Sequence, residues 1–210
     1  MRGIFIAMEG LDGSGGTTQT QLLVEWMRRA KNWPEVISTR EPSDGSVGQF
    51  IRSLLTQDHA HRVDDTVLPY LFAADRRDHL NREVIPALQR RCAVVTDRYY
   101  HSSLAYQSLS VGLAEVVRLN DGFQRPDLTI FLALSPEMCL DRIIARGGTP
   151  ERFETLDRLR SIENAYESVF VHCRARGEKI VVVPANESIE DIHHTIITHV
   201  RDILAEMQPH

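Results

Sequence analysis

Short apolar runs alternate with helix-like periodicity from end to end of the 210-residue sequence, and that alternation predicts an α/β fold. Two further observations narrow it. The five apolar runs carry no polar alternation, as expected of parallel strands covered by helices on both faces. A glycine cluster joins the first run to the first helical segment, so the chain opens as a strand–loop–helix unit. The predicted architecture is a five-stranded parallel sheet flanked by helices in three layers. The length fits one domain over 1–210, or two at most. A chain of this size buries roughly 70% of its unfolded surface and needs no disulfide or metal staple.

In order, the strands are Ile4–Met8, Val36–Thr39, Ala93–Thr96, Leu128–Ala133 and Ile180–Val183, each short and apolar. Helical spacing marks Thr17–Lys31, Val47–Thr56, Asp65–Arg91, His101–Leu109, Leu113–Asn120, Pro136–Arg146, Leu156–Arg176 and Ile189–Met207. Asp65–Arg91 is the longest, and Leu68, Leu71, Phe72, Leu80, Val84 and Leu88 fall on one apolar stripe along it. Pro69 fits its first turn, where a missing amide is harmless. Pro86 lies inside the segment and predicts a kink or an early break.

Composition excludes several classes of function. With 42% hydrophobic and 25% charged residues the chain is an ordinary globular protein, not a disordered or fibrous one. A net charge of -5 speaks against a general nucleic-acid binder. No apolar run reaches the roughly 18–20 residues of a membrane span. Met1–Met8 carries one arginine and leads into glycines, unlike a secretory leader. Cys92, Cys139 and Cys173 are far apart and outside any C-x-x-C pair, so they read as buried free thiols in a reducing cytoplasm. His59 with His61, and the group His193, His194 and His199, give only weak metal-binding patterns. Lysine is nearly missing: Lys31 and Lys179 stand against 22 arginines.

The chemistry-bearing motif is Gly10-Leu11-Asp12-Gly13-Ser14-Gly15-Gly16-Thr17. It has the spacing of a phosphate-binding loop, G-x-x-x-x-G-K-S/T, with Gly16 at the lysine position. Glycines let successive amides turn inward to phosphate oxygens, and the following helix adds the partial positive charge of its N-terminus. The Thr17 hydroxyl is placed to ligate Mg²⁺.

Further motifs appear in a fixed order. Glu9 precedes the loop, and Thr18-Gln19 follows it. Then come Thr39-Arg40-Glu41-Pro42, Leu71-Phe72-Ala73-Ala74-Asp75-Arg76, Asp97-Arg98-Tyr99 and Ser102-Ser103-Leu104-Ala105-Tyr106-Gln107. Arg125-Pro126-Asp127-Leu128, Arg146-Gly147 and Glu151-Arg152-Phe153-Glu154 complete the series. In this order and spacing the chain resembles the thymidylate kinase family over nearly its whole length. The resemblance implies a P-loop kinase fold with a short lid at about 142–155. It also implies ATP as donor with Mg²⁺, dTMP as acceptor, a cytoplasmic setting, and a homodimer with no nucleic-acid or membrane partner.

The same resemblance distributes roles. Gly10, Asp12, Gly13, Ser14, Gly15, Gly16, Thr17 and Thr18 form the ATP-binding loop. Arg142 or Arg146 stacks on adenine, and sequence does not separate the two. Arg40 and Arg98 take the acceptor phosphate. Both stand at C-terminal strand ends, where open α/β sheets bind ligands, and two guanidinium forks suit a dianion. The alternative for them is a salt bridge to Glu41 or Asp97. Phe72 and Arg76, four apart on one helix face, stack on thymine and bond its carbonyl. Ser103, Tyr106 and Gln107 complete that pocket. Asp12 bonds the acceptor's sugar hydroxyl, or else forms a turn. Asp97 is an outer partner of Mg²⁺ beside Thr17, or else a helix cap or partner of Arg98. Arg152 is the catalytic arginine of the lid, while Arg158 and Arg160 read as a solvated helix face.

The implied reaction is direct in-line phosphoryl transfer from ATP to dTMP, giving dTDP and ADP, with no general base required. Gly16 keeps two alternatives open. One is a weak or non-catalytic nucleotide-binding protein of the same fold, and the other is a kinase for another, modified pyrimidine monophosphate.

Overall fold

The apolar runs form β1 (Ile4–Gly10), β2 (Val36–Arg40), β3 (Ala93–Asp97), β4 (Leu128–Ala133) and β5 (Ile180–Pro184). They pair in parallel in the order β2-β3-β1-β4-β5. This is a computed structural model, and it describes residues 2–56, 63–147 and 154–207. The central strand β1 runs two residues beyond the apolar stretch, because Glu9 and Gly10 still pair with Phe131 and Leu132 of β4. Every residue of β1 is buried, as the absence of alternation predicts.

The helices are α1 (Gly16–Ala30), α2 (Ser46–Thr56), α3 (Leu68–His79), α4 (Ile85–Gln89), α5 (Tyr100–Tyr106) and α6 (Ser108–Val111). They continue as α7 (Leu113–Asn120), α8 (Pro136–Arg146), α9 (Leu156–Ala175) and α10 (Ile189–Glu206). The single helix expected over Asp65–Arg91 is corrected to three pieces. It begins at Leu68 with Pro69 in its first turn, widens to a π-helical turn over Leu80–Val84, and resumes as α4. Pro86 has no amide for the i→i−4 ladder, so the backbone widens just before it and the Ile85 amide bonds the Leu80 carbonyl. Its stripe differs too. Leu68, Leu80 and Val84 are buried, but Asp75, Arg76 and His79 between them are also buried and polar. The expected helix His101–Leu109 divides at Gln107 into α5 and α6.

Cys92, Cys139 and Cys173 are free and buried. Burial pushes the Cys139 and Cys173 thiols up to about 12, which leaves them unreactive. Among the described residues no helix is long and apolar enough to cross a membrane. The register sets Met8, Asp97 and Arg40 level across three neighbouring strands. The loops leaving β1, β2 and β3 therefore converge at one edge, beside the point where the strand order reverses.

Candidate active site

The glycine loop leaves β1 at Gly10 and delivers the chain into α1 at Gly16. Gly13 is fixed by contact: its φ is 86°, and a Cβ there would lie 2.4 Å from the Cys139 carbonyl oxygen. The first-turn amides of α1 have no helical acceptors and face the cleft above the loop. That cleft measures about 320 Å³, and Asp97, Arg98, Arg142 and Arg146 close its sides. Thr17 Oγ1 donates to Asp97 Oδ2 at 2.6 Å, which brings together the two predicted metal partners. Two hard oxygen donors beside a phosphate cradle suit Mg²⁺. A Cβ on Gly16 would lie 3.1 Å from Asp97 Oδ1, so the Asp97 carboxylate stands close against the lysine position of the motif.

Arg142 rests on the loop wall, donating to the Ser14 carbonyl (3.4 Å) and the Ala185 carbonyl (3.0 Å). Arg146 pairs with Glu154 at the cleft edge. Arg152, with the stretch 148–153 of the lid expected at 142–155, lies outside the described residues. His59 and His61 also lie outside them. Arg158 is not simply a solvated residue, since it bonds Asp65 at 3.0 Å across from α9. Arg160 is the exposed pair expected of a solvated face, with Glu137 at 2.7 Å.

Arg98 occupies the centre. Its φ of 68° places a non-glycine residue in the left-handed region, at a cost of about 1–3 kcal/mol. Five contacts hold it there. Its amide donates to Met8 O (2.9 Å), and its guanidinium donates to Gly10 O (3.0 Å), Ser102 Oγ (2.9 Å) and Asp12 Oδ1 (2.5 Å). The Tyr106 ring lies 5.1 Å from the guanidinium, and the Tyr106 hydroxyl donates to Asp12 Oδ2 at 3.1 Å. Asp12 is thus a partner of Arg98 and Tyr106.

A second cavity of about 230 Å³ opens on the other side of these residues, sharing Asp12, Asp97 and Arg98 with the loop cleft. Arg40, Glu41, Phe72, Arg76, Ser103, Tyr106 and Gln107 line it, which gathers the sequence-predicted acceptor residues in one place. Phe72 is half-buried along its wall. Arg76 is 1% exposed and held from three sides. It donates from Nε to Glu41 Oε2 (2.8 Å), from Nη2 to Ser103 Oγ (3.0 Å), and from Nη1 to Asn120. Gln107 is buried, and its Oε1 has no hydrogen-bond partner among the described residues. Arg40 pairs neither with Glu41 nor with Asp97. It donates to Asp44 Oδ1 (2.9 Å), which also takes Arg52. The Arg40 hydrogen bond holds the Asp44 carboxyl below its ordinary range.

Two acidic residues inside the quoted motifs carry roles that sequence reading did not assign. Glu9 is buried and accepts from Tyr99 N (2.9 Å), Ser102 N (3.3 Å), Ser102 Oγ (2.6 Å) and Tyr166 Oη (3.0 Å). It anchors the N-terminus of α5 and with it the turn that carries Arg98. Glu41 is buried between Arg76 and His79. For Glu9 the available signal was a carboxylate at the end of an otherwise apolar strand, a residue that is almost never fully buried unless paired.

The family model described as "Thymidylate kinase" matches residues 8–196 of the chain. A protein of Pyrococcus horikoshii named "Probable thymidylate kinase" is 37% identical over 207 residues, covering 96% of this chain and 97% of its own. "Thymidylate kinase" of Caldicellulosiruptor saccharolyticus is 37% identical over 210 residues, covering 97% and 98%. "Thymidylate kinase" of Jannaschia sp. is 35% identical over 209 residues, with 97% and 98% covered.

Proposed function

The chain belongs to the thymidylate kinase family, and on that premise we propose that it passes the γ-phosphoryl group of ATP to dTMP, giving dTDP and ADP. One observation carries the reading: the loop cleft and the second cavity meet at Asp12, Asp97 and Arg98, so groups held in each face one another there. The phosphates of ATP lie over the amides of Gly10 and of Gly13 to Thr18, with Arg142 or Arg146 at the adenine. The acceptor phosphate is gripped by Arg98 and by Arg40, which exchanges Asp44 for it. Asp12 takes the sugar hydroxyl with Tyr106 beside it. Phe72 stacks on the base, and Arg76, Ser103 and Gln107 face its polar edge. The unpartnered Gln107 Oε1 supports this, because it offers an acceptor to a ring N–H.

The acceptor phosphate is already anionic at neutral pH, so these residues have charge and position to supply, not proton abstraction. Thr17 and Asp97 would hold Mg²⁺, which supplies charge neutralisation between the phosphates when bound. Arg152, on the lid at 142–155, takes over the charge that a loop lysine would bring. The chain acts as a single domain over 1–210. It pairs with a second copy of itself, a reading supported by Phe50 and Tyr70, which are 51% and 50% exposed on α2 and α3. The mass of the protein in solution tests the pairing.

A coupled ADP-release assay across dTMP, dUMP, dCMP, dGMP and AMP tests the activity. The expected result is preference for dTMP with dUMP weaker, since a 5-methyl group is worth only about 1–3 kcal/mol. The Gly16 position favours one second reading, a nucleotide-binding protein with little turnover. ATP binding without ADP release on any acceptor would support it.

A further inference from the structure

A line of buried contacts runs from the acceptor cavity back into the protein through Arg76, Glu41 and His79, and only the first two line the cavity. Glu41 gives Oε2 to Arg76 at 2.8 Å and Oε1 to His79 Nδ1 at 3.1 Å. On its far side His79 Nε2 lies 2.8 Å from Thr39 Oγ1, and the Thr39 hydroxyl donates to Glu83 Oε2 at 3.2 Å. The ring thus lies between two carboxylates, Nδ1 3.1 Å from Glu41 Oε1 and Nε2 3.4 Å from Glu83 Oε2, which favours a proton on each nitrogen. With Thr39 donating to Glu83, its oxygen accepts from Nε2–H, while Nδ1–H donates to Glu41. Both ring nitrogens then carry hydrogen, and the ring is an imidazolium. A neutral ring would either turn a bare nitrogen toward the Glu41 carboxylate or take the Thr39 hydroxyl away from Glu83.

We propose that His79 is a positioning residue for the acceptor base: by sharing Glu41 it keeps the Arg76 guanidinium aimed at the cavity, and so sets acceptor affinity without touching the acceptor. This rests on the reading that Arg76 contacts the base. Glu41 is one buried anion between two cations. If the imidazolium charge is removed, the carboxylate belongs to Arg76 alone. In a low-dielectric interior that pair tightens, drawing guanidinium donors away from Ser103 and the cavity. Burial opposes the ring's charge, but Glu41 and Glu83 outweigh it and push the pKa up to about 9. The charged and titratable groups facing the ring are Glu41 after β2, Glu83 in the π-helical turn and, through Glu41, Arg76. Tyr99 at the end of β3 lies 5.3 Å from the Arg76 guanidinium. The Asp75 carboxylate is turned to Ser43 instead.

The test is steady-state kinetics of wild type, His79→Gln and Arg76→Lys between pH 7 and pH 9.5, varying dTMP and ATP separately. His79→Gln should raise the dTMP KM about fivefold to tenfold at pH 7, the scale of one misaligned charge-assisted hydrogen bond. The ATP KM should stay within about twofold, a change of under ~0.5 kcal/mol. The ratio of the two enzymes' dTMP KM values should close toward one as pH rises through about 9. The acceptor base also ionises in alkali, but it does so equally for both enzymes, so the ratio isolates His79. An unchanged dTMP KM, an equal rise in both KM values, or a ratio that ignores pH overturns the inference. An Arg76→Lys variant with wild-type dTMP KM would instead overturn the reading of Arg76 itself. A measurement on the unaltered protein guards against misfolding of the variants: dTMP should raise the pKa of the His79 ring followed by NMR, and no shift overturns the inference.

Discussion

The two clefts meet at three residues yet are made from different material. The loop cleft is backbone: Gly10, Gly13, Gly15 and the open first turn of α1 present amides; a Cβ would not fit at Gly10 or Gly13, and Gly15 holds a φ of 101°. The acceptor cavity is side chain: Arg76, Glu41, Ser103 and Asn120 are buried and already bonded to one another. A backbone cradle recognises phosphate in general and can lose a side chain, as at Gly16, without losing its shape. A cavity of interlocked side chains recognises one base and transmits damage from one member to the next. On the proposed assignment, selectivity belongs to the second, and general affinity for a nucleotide's phosphates to the first.

That contrast can be broken at several points. Arg98→Ala strikes the shared centre and should lower turnover by about 10²–10³, the scale of one lost transition-state donor. Arg160→Ala, an exposed pair, should change turnover little, and comparable activity in the two variants would dislodge Arg98 from the site. Gly13→Ala forces a Cβ to 2.4 Å from a carbonyl oxygen at a φ of 86°. It should weaken ATP by more than about tenfold, on the scale of 1–3 kcal/mol of backbone strain. Calorimetry should find dTMP binding preserved, and equal loss of both would mean that the loop and the cavity are one rigid unit. Phe72→Ala should weaken dTMP by about tenfold, as loss of a base stack does, and leave ATP unchanged. Gly16→Lys should lower the rate a fewfold, because the new side chain enters within 3.1 Å of Asp97 Oδ1 and competes for it. A large rise in rate would instead favour a site that simply lacks its cation.

The smallest effect is on stability. His79 is raised from its ordinary 6.5 to about 9, burial working against the charge and Glu41 and Glu83 for it. A raised pKa stabilises the fold fully below about 6.5, and that contribution is lost as pH rises through about 9. The melting temperature should fall over that range, by about 2–4 °C for each 1 kcal/mol lost in a chain of this length. In His79→Gln the same scan should be flatter.

Much of this was legible in the sequence because it depends on local rules. Glycine is demanded where the backbone turns past Cys139, so the loop announced itself, and the strands followed from short apolar runs, although the edge strand β2 continues into Ser38, Thr39 and Arg40. The extra length of β1 was not legible, since Glu9 and Gly10 are held in the strand by partners on β4. Nor was the polar middle of α3. Asp75, Arg76 and His79 share a face with apolar neighbours, and their partners Ser43 and Glu41 lie 32 to 38 residues away. Arg40 was legible as a cation at the right strand end, but its partner Asp44 is set by the turn that follows.

The Arg98–Asp12 ion pair, 2.5 Å long and lining both clefts, has a thermodynamic consequence. A phosphate that takes up the Arg98 guanidinium must first loosen it from Asp12, and the ligand that arrives first bears that cost. If the donor phosphates, held in the other cleft that Arg98 lines, also draw on it, the second ligand finds the arginine already released and binds more tightly. Linkage makes the gain reciprocal: whatever factor an unreactive ATP analogue adds to dTMP affinity, dTMP must return to the analogue, to the same extent and with the same dependence on Asp12.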